Sequence, residues 1–232
     1  MTTSGTTAFN LDLNDIMEEA FERNGAELRT GYDFKTARRS LNLLLLEWAN
    51  RGINMWTIEQ GTIPLVPNVA DYDLPADTVD LIEHVVRTGA GNVATQADIT
   101  ISRISISTYS SIPNKLATGR PIQMVVHRNT ERPSVTVWPV PNASTPYTLV
   151  YWRLRRIQDA GGGTSTQDIP FRLLPALVAG LAYYLSLKLI SGQPRSQQLK
   201  AEYEEMWAQA SSEDREKAPV RFVPRSFRVG RG

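Results

Sequence analysis

Residues 173–187 form the longest apolar run of the chain, with fifteen residues between Arg172 and Lys188. A membrane-spanning helix needs about 20 apolar residues, so this run is too short to insert into a bilayer. Asp168 and Pro170 suit the cap and first turn of a helix that continues to about Ile190, and Gly192 suits its end. Because the helix is apolar on nearly every side, other helices must cover it, and we expect it at the centre of a bundle.

Three further helices are predicted from apolar residues at helical spacing. The first has a single stripe made of Leu13, Ile16, Met17, Ala20 and Phe21 and an acidic opposite face. The second begins at the T-x-x-D capping pattern of Thr30 and Asp33 and ends before Gly52. Its inward-facing residues are Phe34, Ala37, Leu41, Leu44, Leu45 and Trp48. The last helix begins at Pro194 and carries on one face Leu199, Tyr203, Met206, Trp207 and Ala210.

The second helix has a wider apolar stripe than a single neighbouring element requires. Leu43 and Leu46 extend the stripe around the helix, which predicts contacts on more than one side. If the chain assembles with copies of itself, we expect Leu43, Leu46 and Trp48 to contribute to the interface between subunits.

Residues 56–158, between the two helix pairs, have the character of a β domain. Six β-rich runs alternate there with turn clusters, at residues 57–63, 80–87, 99–106, 122–127, 134–139 and 147–154. This spacing favours a small antiparallel sandwich or an open barrel, with a short helical excursion at residues 107–116.

The predicted fold class is therefore α+β. It consists of a four-helix bundle formed by the N- and C-terminal helix pairs, an inserted antiparallel β sandwich or barrel-like domain, and an extended C-terminal arm. We expect the two halves of the helical domain at residues 1–55 and 161–214, the β domain at 56–160, and the arm at 215–232.

The last sixteen residues, 217–232, include five Lys or Arg and no acid. Pro219 and Pro224 prevent a helix, and the apolar residues are too few to form a core. We expect an extended arm that becomes ordered only on a partner, although an arm that binds nothing is an open alternative. The expected binding residues are Val220, Arg221, Phe222, Val223, Arg225, Phe227 and Arg228.

The formal charge of the chain is unevenly distributed. The whole chain carries +1, but residues 1–216 contain 20 Lys and Arg against 24 Asp and Glu. Non-specific affinity for nucleic acid comes chiefly from basic side chains that neutralise phosphates, so this anionic part is a poor candidate for gripping DNA.

Motifs for catalysis, metal binding or cofactor binding are not recognised. The chain has no cysteine, and His84 and His127 lie in separate predicted strands without HxH or HExxH spacing. The aspartates of residues 71–80 lack the glycine and glutamate of a calcium loop. The glycine clusters at residues 89–92 and 161–163 lack the lysine of a phosphate loop. We predict no enzyme activity, with no catalytic residue, no metal and no cofactor.

Two other functions stay open at this point. The stretch YWRLRR at residues 151–156 mixes aromatic and basic residues and, with the arm, is compatible with a nucleic-acid-binding module. A cell-wall hydrolase needs only two carboxylates that meet in space, and the sequence selects no such pair among its 24 acids.

The chain resembles the head-to-tail adaptors of short-tailed bacteriophages (podoviruses), also called tail tubular protein A. Four stretches carry the resemblance: NDIMEEAFERNGAELRTGYDFKTARRSLNLLLLEWANRGINMW at residues 14–56, YDLPADTVDL at 72–81, SIPNKLATGRP at 111–121 and DIPFRLLPALVAGLAYYLSLK at 168–188. Their order and the basic C-terminal arm are similar to those of the family.

The resemblance implies a structural virion protein at the head–tail junction, assembled in the host cytoplasm. Its partners would be the portal protein above, a nozzle similar to tail tubular protein B below, and further copies of itself in a ring of twelve. Double-stranded DNA would pass through the lumen without specific binding. No membrane insertion is expected.

Overall fold

Helices lie at both ends of the described chain, and strands lie between them. The computed structural model describes residues 5, 9, 11–52 and 55–213 and has an α+β fold. The α-helices of this part are α1 (Leu13–Arg23), α2 (Gly31–Arg51), α3 (Ile106–Ser110), α4 (Leu174–Ser186) and α5 (Ser196–Glu213). Short 3-10 helices occur at Met55–Thr57, Phe171–Leu173 and Gln193–Arg195.

The strands form two larger sheets and one short pair. Within the described residues they are β1 (Ile58–Leu65), β2 (Asp71–Asp73), β3 (Thr78–Thr88), β4 (Ala97–Thr100), β5 (Ser102–Arg103), β6 (Thr118–Gly119), β7 (Gln123–His127), β8 (Ser134–Trp138), β9 (Val140–Pro141) and β10 (Tyr147–Arg155). One sheet has the order β1-β10-β3-β4 and is antiparallel, and the other has the order β2-β8-β7-β5. The expected antiparallel pairing holds for the longer strands, whereas β5 pairs parallel with β7 and β6 parallel with β9.

The second helix begins and ends where the sequence predicts, and the first is capped in the same way. In α1, Asp12 and Asp15 form a reciprocal capping box, with the Asp15 amide donating to the Asp12 carboxylate at 3.0 Å. Thr30 and Asp33 do the same for α2. Gly52 follows α2 with φ of 79°, a left-handed conformation that glycine adopts without strain.

The third long helix differs from its prediction at both ends. The Asp168 carboxylate does not cap it but accepts hydrogen bonds from Arg155, and the chain enters α4 through the 3-10 turn Phe171–Leu173. At the other end α4 stops at Ser186, four residues before the predicted end at Ile190. The loop that follows brings Gly192 against Asn24, where a Cβ would lie 2.1 Å from the Asn24 Oδ1 atom. This close approach requires the chain to leave the helix early.

Buried side chains of α1, α2, α4 and α5 form one hydrophobic cluster. Helix α4 is buried on nearly every side, as its apolar composition predicts. Gly180 allows α2 and α5 to approach it closely, because a Cβ there would lie 2.9 Å from both Leu44 Cδ2 and Tyr203 Cε2. A second cluster lies in the β region and combines side chains of both larger sheets, including Leu81, Met124, Val135, Val137, Leu149 and Tyr151.

Candidate interaction surfaces

The predicted arm lies outside the described residues, which end with α5 at Glu213. This applies to all seven residues expected to bind a partner: Val220, Arg221, Phe222, Val223, Arg225, Phe227 and Arg228. The surfaces considered below belong to residues 11–213 and Phe9.

The three residues expected at a subunit interface separate into two environments. Leu43 and Leu46 are 54% and 62% exposed on the outer side of α2. Trp48 instead has no exposed surface: it packs against Trp207 with 4.8 Å between ring centroids and donates a 2.9 Å hydrogen bond to the Tyr203 hydroxyl. A side chain that is enclosed by its own helices is not available to a neighbouring subunit, so Trp48 is a core residue.

Leu46 borders a groove between α2 and the β region. The groove has a volume of about 420 Å³, and its apolar lining comes from Leu45, Leu46, Ala49, Val79, Leu154 and Ile157. Exposed apolar side chains that line one concave surface are typical of protein contact sites. The structure thus joins part of the predicted α2 face to a second wall.

Sequence reasoning missed that second wall. The register between β3 and β10 skips Ile82 and Val79, which marks two bulges in β3. A bulged residue leaves the regular alternation of strand side chains. Ile82 and Val79 consequently face solvent, with 46% and 44% of their surface exposed. A bulge depends on pairing with a distant strand, so the local pattern contained no signal for it.

The basic stretch at the end of β10 forms ion pairs within the chain. The Arg153 guanidinium donates to Glu59 at 2.8 Å and also to Asp77, and its side chain is 11% exposed. Arg155 donates to Glu59 at 2.7 Å and to Asp168 at 2.9 Å, and its side chain is 12% exposed. These pairs tie β1 and β10 to the segment that leads into α4.

The carboxylates of this network have shifted acidities. The hydrogen bond from Arg153 lowers the pKa of Asp77, although partial burial acts in the opposite direction. Burial acts to raise the pKa of Asp168, but the hydrogen bonds from Arg155 and from the Gln158 amide, together with the positive charge of Arg155, outweigh it and lower the pKa. Since Arg153 and Arg155 are already neutralised by acids, little of the YWRLRR charge is available to phosphates; Arg156 is exposed.

A larger and more open groove lies between α1 and the start of α4, with a volume of about 960 Å³. Its apolar lining comes from Phe9, Leu11, Phe171, Leu174, Pro175 and Val178. One side is formed by the acidic face of α1, with Asp15, Glu18, Glu19 and Glu22, and the lining also includes Arg23 and Arg172. We call this surface the acidic groove.

Titratable side chains elsewhere are held by structural contacts. The Nε2 atom of His127 lies 2.9 Å from the Thr136 hydroxyl, which donates to Asp71. Thr136 is 5% exposed, so the central hydroxyl of this His–Thr–Asp chain is buried. His84 is separate from it, and burial lowers the pKa of its imidazole. In residues 11–52 and 55–213 we find no group of three His, Cys, Asp or Glu side chains that fits a metal ion.

Of the aspartates at residues 71–80, Asp77 and Asp80 lie in different ion pairs. Asp80 contacts Arg103 at 3.0 Å and also Arg128, while Asp77 belongs to the Arg153 network. Across the part of the chain that the structure describes, none of the helices has the length and apolarity needed to cross a membrane.

Comparison with protein families gives a match over most of the chain. The model of the family described as SU10 adaptor protein matches residues 7–223. A search of curated proteins finds no match.

Proposed function

Because the chain belongs to the SU10 adaptor protein family, we propose that it is a structural adaptor of a bacteriophage particle that joins the head to the tail. In this proposal a ring of twelve copies binds the portal on one side and the tail nozzle on the other, as in tail tubular protein A of podoviruses. It is assembled in the host cytoplasm and remains at the head–tail junction. The family match over residues 7–223 is the observation that carries the proposal.

The body of the adaptor would consist of two units. The helical cluster is taken as a four-helix bundle, formed by residues 1–55 and 161–214, and the two larger sheets as a β sandwich inserted at residues 56–160. The ion pairs of Arg155 with Glu59 and Asp168 favour this division, because they lie where the β unit returns to the helical unit.

A closed ring of identical copies needs two different faces on each subunit, since a heterologous contact closes only when each face meets its complement on the next copy. The exposed side of α2, with Leu43 and Leu46, would form one face. Val79 would extend it across the 420 Å³ groove onto the β unit.

The charge distribution suits a conduit. A channel that releases double-stranded DNA must not bind it tightly, and residues 1–216 have four more acids than bases. Arg153 and Arg155 of the YWRLRR stretch, which lie in β10, are paired with acids. Double-stranded DNA would therefore pass through the lumen without specific binding.

The basic arm would attach the ring to the portal. Sixteen extended residues span about 50 Å, enough to reach beyond the subunit that carries them. Phe222 and Phe227 would anchor the arm in apolar pockets, and Arg221, Arg225 and Arg228 would meet acidic groups of the portal. Each copy would lose conformational entropy on docking, which the multiplicity of a ring offsets.

Removal of residues 218–232 tests this role. Among the described residues the hydrophobic cluster of the helices extends to Ala210, so the shortened protein should still fold. It should no longer co-sediment with the portal protein of the same phage. A chain in which residues 218–232 are replaced by a Gly/Ser segment of equal length serves as the control for length. Portal attachment by either variant at the affinity of the full chain would refute the proposal.

A further inference from the structure

The acidic groove exposes a large apolar surface to water. Phe171 is 60% exposed and Phe9 71% exposed, and their rings stack on each other with centroids 6.1 Å apart. Pro175 and Leu174 continue this surface along α4. Contiguous apolar surface beside charged residues marks a site for a partner that combines both characters.

The carboxylates beside this surface are only partly neutralised. Arg23 donates to Glu19 at 2.9 Å and to Glu202 at 2.6 Å. Among the residues that the structure describes, Glu18 and Glu22 have no ion-pair partner, and Arg172 is the remaining base of the lining. The groove therefore favours a ligand with several positive charges and apolar side chains.

The chain itself contains such a ligand, and α5 leads towards the groove. Helix α5 begins beside the C-terminal end of α1. There the Arg195 guanidinium donates a hydrogen bond of 3.3 Å to the Arg23 carbonyl. It also contacts the 3-10 turn Phe171–Leu173 at the opposite end of the helical cluster. Helix α5 thus runs back towards the Phe171 end of the acidic groove and ends at Glu213.

The length and charge of the two chain ends distinguish the candidates for the occupant. Nine extended residues span about 30 Å, so Phe222 can lie up to that distance from the end of α5. Residues 217–232 carry five basic residues and no acid, which complements the face of α1. Residues 1–10 border the groove at Phe9 but contain no charged side chain, so none of their side chains can form an ion pair with the acidic face of α1.

We propose that residues 217–232 occupy the acidic groove of their own subunit before the ring assembles. Phe222 or Phe227 lies against Phe171, and the arginines between them face Glu18 and Glu22. A segment tethered to its site has an effective concentration in the millimolar range, so weak contacts are sufficient to hold it. The portal must then displace the arm. Until it does, docking in the groove keeps the free subunit from presenting the arm to other acidic surfaces.

Disulfide formation between two introduced cysteines tests this inference in the full-length protein. The chain has no cysteine of its own, so one pair reports one distance. Leu11→Cys places a thiol in the groove without removing a rim charge, and Ser226→Cys places the other in the arm. Under mild oxidation we expect an intramolecular disulfide, seen as a monomer of altered mobility that reverts on reduction.

The matched control pairs Ser226→Cys with Val93→Cys, which lies at a fully exposed position outside the groove. We expect the groove pair to form at least ten times faster than the control pair. Adding Glu18→Gln and Glu22→Gln should slow the groove pair several-fold, since each exposed ion pair contributes modestly. High salt should also slow disulfide formation by the groove pair, because it screens the attraction between the basic arm and the carboxylates of the groove.

Three outcomes would overturn the inference. Disulfide-linked dimers in place of monomers would show that the arm docks in another copy. Equal rates of disulfide formation for the two cysteine pairs would show that the groove does not hold the arm. Occupancy of the groove by residues 1–10 would show the same. If neither the substitutions of Glu18 and Glu22 nor salt changes the rate of disulfide formation, charge attraction does not hold the arm in the groove. Portal attachment is measured separately on the unaltered chain. A failure of the disulfide experiment therefore leaves the portal experiment interpretable, and the reverse also holds.

Discussion

The most direct test of the proposed ring is the double variant Leu43→Ser/Leu46→Ser on the outer side of α2. Burial of a whole leucine side chain contributes about 1.5–3 kcal/mol. The two residues are 54% and 62% exposed in the subunit, so this is the fraction left for a neighbour to cover. Their joint contribution to one subunit contact is then about 2–3.5 kcal/mol. A loss of this size weakens the contact by about 30- to 300-fold.

The assay is ring formation on the portal as a function of adaptor concentration, followed by sedimentation and electron microscopy. The double variant should need a concentration about two orders of magnitude higher to form rings. Its unfolding temperature should change little, because exposed residues contribute little to the stability of the free subunit. Leu187→Ser is the matched control, since Leu187 is 58% exposed at the end of α4 and outside the α2 groove. Rings that form at the same concentration with and without the α2 substitutions would refute the argument.

Two further predictions concern the subunit itself. Gly180→Ala gains about 1 kcal/mol of helix propensity, but its Cβ would lie 2.9 Å from the buried Leu44. Overpacking of this kind costs about 1–3 kcal/mol, so we expect a lower unfolding temperature, whereas Gly31→Ala, with open space around its Cβ, should be neutral or stabilising. Asp168→Asn should lower the unfolding free energy at pH 7 by about 1–2 kcal/mol, because the Arg155 pair is lost. Because the pKa of Asp168 is lowered by folding, the stability that its carboxylate contributes is present above its unfolded pKa of about 3.9. This stability is lost as the pH falls through the folded pKa. If the variant and the original protein still differ in unfolding free energy at pH 2, measured with denaturant, the account is contradicted.

Local sequence patterns predicted the helices well. The capping box at Thr30 and the stop at Gly52 were confirmed, because each depends on residues within one turn of the helix end. The central position of α4 followed from its composition alone, since an all-apolar helix has no side that water tolerates. The longer strands were also identified by their β-rich runs.

The candidate surfaces were only partly accessible from sequence. The wide stripe of α2 indicated that some of its apolar residues face outward, and Leu43 and Leu46 do so. Trp48 was placed among them, yet it lies in the core. Which side of a wide stripe is covered depends on where the other helices pack, and a helical pattern does not contain that information.

The amino-acid sequence determined which segments are helical, where α2 begins and ends, and that charge is separated between an anionic body and a basic terminal segment. The tertiary structure decided that Val79 joins Leu46 at one groove, that Asp168 binds Arg155 and not a helix end, and that the acidic face of α1 lies beside Phe171. The physical reason is the range of the interactions. Caps and amphipathic stripes arise from neighbours within a few residues, whereas grooves, bulges and ion pairs arise from segments that folding brings together across the chain.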